Sequence, residues 1–152
     1  MKRLIQKGDR AKHFILKDNK DKEIQLSDFK GKKVLLSFHP LAWTSVCAEQ
    51  MKALEANKGR FDRLNTIALG LSIDTIPSKN TWAKKLGIKN TRLLCDFWPH
   101  GKIAKAYGIF REANGFSERA NIILDENHHI IFVKVYPIAQ LPDIEEIFKA
   151  LA

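Results

Sequence analysis

One short stretch of the chain combines residue types that could carry out thiol chemistry. Pro40 stops a strongly apolar run, and a helix is predicted to begin near Thr44, so Cys47 falls in the first helical turn. Backbone N–H groups in that turn lack intrahelical acceptors, and together with the helix dipole they stabilise an anion. Because the thiolate is the nucleophilic form of cysteine, this position favours a reactive Cys47.

The same residues allow other interpretations. Cys47 could be a small buried hydrophobe at the start of a helix, as many free cysteines are. Thr44 could cap the helix and also place its hydroxyl beside the sulfur. His39 could act as a general base, although we favour a packing role for its ring against the motif.

Strands and helices alternate along the chain and must position this stretch. Periodicity and turn residues predict strands over residues 14–16, 23–26, 33–38, 66–73, 93–95, 120–124 and 130–135. They predict helices over residues 44–57, 77–86 and 102–107 and after Pro142, with Gly59 ending the first of them. This order predicts an α/β fold with a central mixed sheet flanked by helices. The layout resembles a thioredoxin-like fold with an N-terminal β extension.

Several motifs match one known family in order and spacing. The stretch from Pro40 to Cys47 reads P-x-x-x-T-x-x-C, and the other matching stretches are F-x-L-x-D from Phe14, L-x-D-F-K-G-K from Leu26 and S-E-R-A-N-I-I-L-D from Ser117. Together they resemble the alkyl hydroperoxide reductase and thiol-specific antioxidant family, the peroxiredoxins, over nearly the whole chain. The resemblance implies a thiol-dependent peroxidase that reduces hydrogen peroxide and organic hydroperoxides and needs no cofactor or metal.

The resemblance also implies a role for each motif residue. The Cys47 thiolate would become a sulfenic acid, which a thioredoxin- or glutaredoxin-like protein or a low-molecular-weight thiol would reduce. Arg119 would stabilise the thiolate and the departing oxygen, unless it forms a surface ion pair with Glu118 or Glu112. Thr44 and the Cys47 backbone N–H would hold the peroxide. Pro40 would shield the sulfur from water.

Two positions near Cys47 depart from the family pattern. Many members carry Glu three residues after the cysteine, where this chain has Gln50, with Glu49 one step earlier. The contact that would orient Arg119 is therefore an open question. His39 stands where the family usually has Tyr or Phe.

The stretch from Leu94 to Phe110, which includes D-F-W-P-H-G, is similar to the alkyl hydroperoxide reductase E-type subgroup. Members of that subgroup mostly use a single cysteine and form dimers through the edge near the active site, so we expect a homodimer. The aromatic residues that could form an apolar wall near the pocket or the dimer contact, or pack in the core, are Trp43, Phe97 and Trp98.

Cys95 stands where the subgroup typically has Ser. It could resolve the Cys47 sulfenic acid within one chain, resolve it between chains, or be an inert buried residue at the end of a strand. We favour the inert interpretation slightly, in which a partner thiol reduces Cys47. The two cysteines lie far apart in sequence, so they do not form a C-x-x-C redox motif.

The composition is that of an ordered protein without a membrane or secretion signal. The chain has 152 residues, 45% of them hydrophobic and 28% charged, which suits one domain over residues 1–152. The first ten residues are charged and lack the apolar core of a signal peptide, and no apolar run approaches the roughly 18 residues of a membrane span. We therefore expect a cytoplasmic protein.

The net charge and the Cys47 motif also allow functions other than a peroxidase. The net charge of +9 is scattered along the chain, which favours a solvated basic surface over nucleic-acid binding. A peroxide sensor or redox relay would use the same Cys47 sulfenic acid but pass the oxidation to a protein partner. A basic binding or chaperone-like domain on a thioredoxin-like scaffold would bind its partner without Cys47.

Overall fold

Two apolar runs of the sequence form the centre of a seven-stranded sheet in the computed structural model, which describes residues 3–152. Met1 and Lys2, part of the predicted domain 1–152, lie outside the described residues. The strands are β1 (Ile15–Asp18), β2 (Glu23–Gln25), β3 (Lys33–Phe38), β4 (Thr66–Ser72), β5 (Arg92–Cys95), β6 (Phe110–Arg111), β7 (Phe116–Ser117), β8 (Arg119–Leu124) and β9 (Ile130–Tyr136). The helices are α1 (Ser45–Ala56), α2 (Lys58–Arg63), α3 (Ile76–Leu86), α4 (Lys102–Ala106) and α5 (Ile144–Leu151).

The sheet mixes parallel and antiparallel strands in the order β2-β1-β5-β4-β3-β8-β9. Strands β3, β4 and β5 run parallel to one another, whereas β8 pairs antiparallel with both β3 and β9. The N-terminal strands β1 and β2 extend the sheet beyond β5. The predicted α/β class, the terminal hairpin and the N-terminal β extension are therefore confirmed.

Side chains on the central strand β3 alternate between two hydrophobic cores, one on each face of the sheet. Leu36 packs in the core that receives Ile103 of α4, and Leu35 packs in the core that receives Met51 of α1 and Trp82 of α3. A strand buried on both faces must be apolar throughout, which explains the continuous run of β3.

Among residues 3–152, no helix is long and apolar enough to cross a membrane.

Local turns account for the differences from the predicted elements. Gly59 was expected to end the first helix, but it lies inside α2, because the chain bends earlier at Asn57. The side chain of Asn57 donates to the carbonyl of Ala53 and so satisfies the end of α1. The two-residue strands β6 and β7 were missed because strands of that length carry no periodicity.

Candidate active site

The sheet register brings Arg119 to the same edge as the start of α1, although 72 residues separate it from Cys47. Strand β3 ends at Phe38, which pairs antiparallel with Ala120 of β8. Arg119, the first residue of β8, therefore lies beside the chain as it leaves β3 toward α1. The antiparallel pairing thus places the arginine close to the first turn of α1.

Arg119 and Cys47 are in direct contact and almost fully buried. Nη1 of Arg119 lies 3.3 Å from Sγ of Cys47, and the two residues are 2% and 1% exposed. Nε of the arginine donates to the carbonyl of Ile138 at 2.9 Å, which fixes the plane of the guanidinium. The surface ion pair considered for Arg119 is wrong, because Glu118 pairs with Arg111 instead, at 2.9 Å.

Gln50 orients the arginine. Its Oε1 accepts from Nη1 of Arg119 at 2.7 Å, and its Nε2 donates to Ser37 Oγ at 2.7 Å and to the carbonyl of Phe38 at 3.2 Å. Ser37 Oγ in turn donates to Asn121 on β8 at 2.7 Å. A glutamine thus makes the contact that the family's Glu was expected to provide, and the chain of hydrogen bonds ties it to two strands of the sheet.

Glu49 does not belong to this cluster. It lies on the exposed side of α1 and pairs with Lys52 at 3.0 Å. Gln50 occupies the inner face because it falls three residues after Cys47, close to one helical turn, whereas Glu49 points away.

Thr44 occupies the N-cap position of α1 with an extended backbone. Its hydroxyl donates to the carbonyl of Leu41 at 2.8 Å, so the expected side-chain cap of the helix is wrong. Threonine hydroxyls often bond to a nearby carbonyl in a turn, and the turn here is tight because Trp43 has a φ of 71°. Pro40 is buried at the other end of this loop.

His39 is fully buried, and both of its ring nitrogens have partners. The carbonyl of Ser37 can only accept, so Nδ1 carries the proton and donates at 3.3 Å, while Nε2 accepts from Lys79 Nζ. Burial, together with the charges of Lys79 and Arg119, lowers the pKa of His39 well below its ordinary value. The ring packs 5.7 Å from that of Trp82. This geometry supports the packing role rather than a general base.

Lys79 is the residue of this region that the sequence interpretation missed. It lies on α3 with no exposed surface, three residues before Trp82 on the buried side of the helix. That spacing from Trp82 is the signal that could have identified it, since a lysine at an inward position is uncommon without a partner.

Cys95 ends β5 beside Ser72 of β4, and both cysteines of the chain are free thiols. Burial raises the pKa of Cys95 to about 12, with Asp74 and Asp18 adding to the effect and Lys79 opposing it. The residue is 7% exposed, and its open side faces a cavity of about 520 Å³ lined also by Phe97 and Trp98.

The three aromatic residues considered for an apolar wall lie on the surface. Trp98 is 79% exposed, and Trp43 and Phe97 are about half exposed, so the alternative of core packing is wrong. Nε1 of Trp43 donates to Ser78 Oγ at 3.0 Å.

Within the described residues 3–152, no group of three or more His, Cys, Asp or Glu side chains could hold a metal ion.

Comparisons with known proteins identify the family. A family model described as the AhpC/TSA family matches residues 7–133. The chain is 33% identical over 133 residues to alkyl hydroperoxide reductase E of Mycobacterium tuberculosis, covering 87% of this chain and 86% of the relative. It is 34% identical over 116 residues to peroxiredoxin-1 of Gekko japonicus, covering 74% of this chain and 58% of that relative.

A solved structure shows the same fold. The reduced 2-Cys peroxiredoxin of Plasmodium vivax superposes with a TM-score of 0.87 at 29% identity, over 97% of this chain and 80% of that one. The thioredoxin-like fold is therefore confirmed, and the match spans the helix start and the strand that bring the cysteine and the arginine together. The chain belongs to the AhpC/TSA family, the peroxiredoxins, which are thiol-dependent peroxidases.

Proposed function

We propose that Cys47 is the peroxide-reacting cysteine of this peroxidase. The observation that carries the proposal is the 3.3 Å contact between Arg119 Nη1 and Cys47 Sγ in a buried site. A guanidinium keeps its charge at every physiological pH, and burial reduces the screening of that charge by water. It therefore favours the thiolate before the reaction and stabilises negative charge that develops during it.

The reaction needs only the thiolate and a hydroperoxide. The Cys47 sulfur attacks the terminal peroxide oxygen, the O–O bond breaks, and the bonding electrons leave with the second oxygen as an alkoxide or hydroxide. That ion takes up a proton and departs as an alcohol or water, and Cys47 is left as a sulfenic acid. Two thiols then reduce the sulfenic acid, forming a disulfide between them and one water.

The first turn of α1 and the loop before it bind the peroxide. The Cys47 backbone N–H and the Thr44 hydroxyl hold the two peroxide oxygens in line with the sulfur, which fixes the direction of attack. The Thr44 hydroxyl can do so while it donates to Leu41, because its oxygen still accepts hydrogen bonds. Pro40 lacks an N–H and covers the sulfur with apolar atoms.

An external thiol, rather than Cys95, reduces the sulfenic acid. A resolving cysteine must attack as a thiolate, and a pKa of about 12 leaves almost no thiolate at Cys95 near neutral pH. The reductant is a thioredoxin- or glutaredoxin-like protein or a small thiol, and hydrogen peroxide and organic hydroperoxides are the substrates.

We also propose that the protein forms a homodimer. Phe97 and Trp98 expose their aromatic rings where they line the cavity at Cys95, and exposed apolar surface of this kind is typical of interaction sites. Trp98→Arg should reduce the mass measured by sedimentation from that of two chains to that of one. A wild-type chain that sediments as a monomer at micromolar concentration would contradict the proposal.

Steady-state peroxide consumption with dithiothreitol as the reductant tests the function. Cys47→Ser should abolish turnover, and Cys95→Ser, the matched control, should retain it within about twofold. Turnover that survives Cys47→Ser would refute the assignment. Loss of turnover in Cys95→Ser would instead assign the reduction step to Cys95.

A further inference from the structure

A lysine is completely buried beneath the loop that leads to Cys47. Lys79 lies about one turn into α3, and none of its side chain is exposed. A buried ammonium without partners is costly, and a cation near the N-terminus of a helix is opposed by the helix dipole. A lysine at this place therefore needs specific partners.

The polar partners come from two parts of the chain, the residue after β3 and the end of β4. Nζ of Lys79 donates to Nε2 of His39 and to Oγ of Ser72, and Oδ2 of Asp74 lies 3.9 Å away. The ammonium also lies 5.1 Å from the centre of the Trp82 ring, within cation–π range. The lysine side chain is shielded from water, whereas the Asp74 side chain is 12% exposed.

The cluster around Lys79 holds the active-site loop at two points. His39 directly precedes Pro40, and its backbone N–H donates to the carbonyl of Leu71 at 3.0 Å. Asp74 accepts from the backbone N–H of Ala42 at 2.9 Å and from Ser72 Oγ at 2.6 Å. Pro40 lies between these two anchors, so the position of this proline depends on the partners of Lys79.

Lys79 is also a second positive charge near the sulfur of Cys47. The titratable groups that face it from the packed elements are His39 after β3, Asp74 after β4, Cys95 on β5 and Cys47 on α1, with Arg119 of β8 acting on the same histidine. Asp74 and a thiolate at either cysteine are the anions that stabilise the buried ammonium.

We propose that Lys79 is a positioning residue for the peroxidase reaction: its ammonium holds the Pro40 loop through His39 and Asp74 and favours the thiolate of Cys47. The proposal rests on the proposed role of Cys47. Burial lowers the pKa of Lys79 to about 8, opposed by Asp74 and the two cysteines, so the ammonium form still predominates near pH 7. Lys79 therefore carries its positive charge in most molecules near pH 7.

The pH dependence of Cys47 alkylation by iodoacetamide, read by intact mass in a Cys95→Ser background, tests this role. Lys79→Met removes the charge and the hydrogen bonds, whereas Lys79→Gln removes the charge and keeps a donor for His39. Both should raise the midpoint pH by about one unit and slow alkylation about tenfold at any pH below both midpoints. Lys84→Met, on the exposed side of α3, makes the same change in net charge and should leave the midpoint unchanged.

An unchanged midpoint in both Lys79 variants would overturn the proposal, even if alkylation slowed equally at every pH, because that would indicate a purely structural role. Loss of the folded state in both variants, read by circular dichroism, would overturn it too. The alkylation needs no peroxide. Failure of wild-type Cys47 to react with hydroperoxide would therefore reject the proposed function, and the alkylation result would still stand.

Discussion

The two cysteines of the chain are both almost fully buried, but they lie in opposite electrostatic surroundings. Cys47 lies in the first turn of α1, with the Arg119 guanidinium 3.3 Å from its sulfur. Cys95 ends β5, where burial, reinforced by Asp74 and Asp18 and opposed by Lys79, raises its pKa to about 12. Burial alone disfavours a thiolate, so fixed N–H donors and cations must distinguish a reactive cysteine from an inert one.

The largest expected effect concerns the inert cysteine. In a Cys47→Ser background, alkylation of Cys95 near pH 8 should be about a thousandfold slower in the folded protein than in the denatured one. The reason is that burial raises the pKa from 9.0 to about 12, and each unit reduces the thiolate tenfold at a pH below both values. The folded-state rate should rise about tenfold per pH unit up to that pKa.

Iodoacetamide labelling read by intact mass measures both rates. Equal rates in the folded and denatured protein near pH 8 would mean that Cys95 is accessible and ionised. The proposed difference in reactivity between Cys47 and Cys95 would then be wrong.

The next effect removes the cation beside Cys47. Arg119→Met should slow the reaction of Cys47 with hydroperoxide by about 10² to 10³, the usual loss when a charge-stabilising donor is deleted from an active site. Stopped-flow tryptophan fluorescence measures this rate. Arg111→Met, at the exposed pair with Glu118, is the matched control and should react as the wild type does. An equal loss in both variants would indicate that the effect is not specific to the contact with Cys47.

A smaller effect is expected from the residue that orients the arginine. Gln50→Leu removes the acceptor of Arg119 and the donor of Ser37, and we expect about a tenfold loss in the same rate. Gln50→Glu keeps an acceptor for the arginine and should retain most of the rate. If Gln50→Leu reacted as fast as the wild type, the guanidinium would be held well enough by Ile138 alone.

Much of this arrangement could be predicted from the sequence, because it depends on local patterns. The apolar run of β3, the helix start after Pro40 and the terminal hairpin follow from periodicity and turn residues. The pairing of Cys47 with Arg119 came from the family motifs, since the antiparallel register that joins them is a long-range feature of the sheet.

The features that the sequence did not reveal depend on tertiary contacts. Gln50 replaces the expected Glu because an amide can also accept from Arg119, and its donor side is satisfied only by Ser37 and Phe38 of the adjacent strand. The spacing of Lys79 from Trp82 places it on an inward face, but its interactions depend on partners after β3 and at the end of β4. The Thr44 hydroxyl donates to the carbonyl of Leu41 and does not cap the helix, because the turn before α1 brings that carbonyl within reach.

The central claim is that charge, not exposure, makes Cys47 the reactive cysteine. The most direct test treats the reduced protein with one equivalent of hydroperoxide and reads its intact mass under denaturing, alkylating conditions, with Cys95→Ser in parallel. The account predicts one added oxygen on Cys47, unaffected by Cys95→Ser. Oxidation of Cys95 in preference to Cys47, or loss of two hydrogens that requires both cysteines, would contradict it.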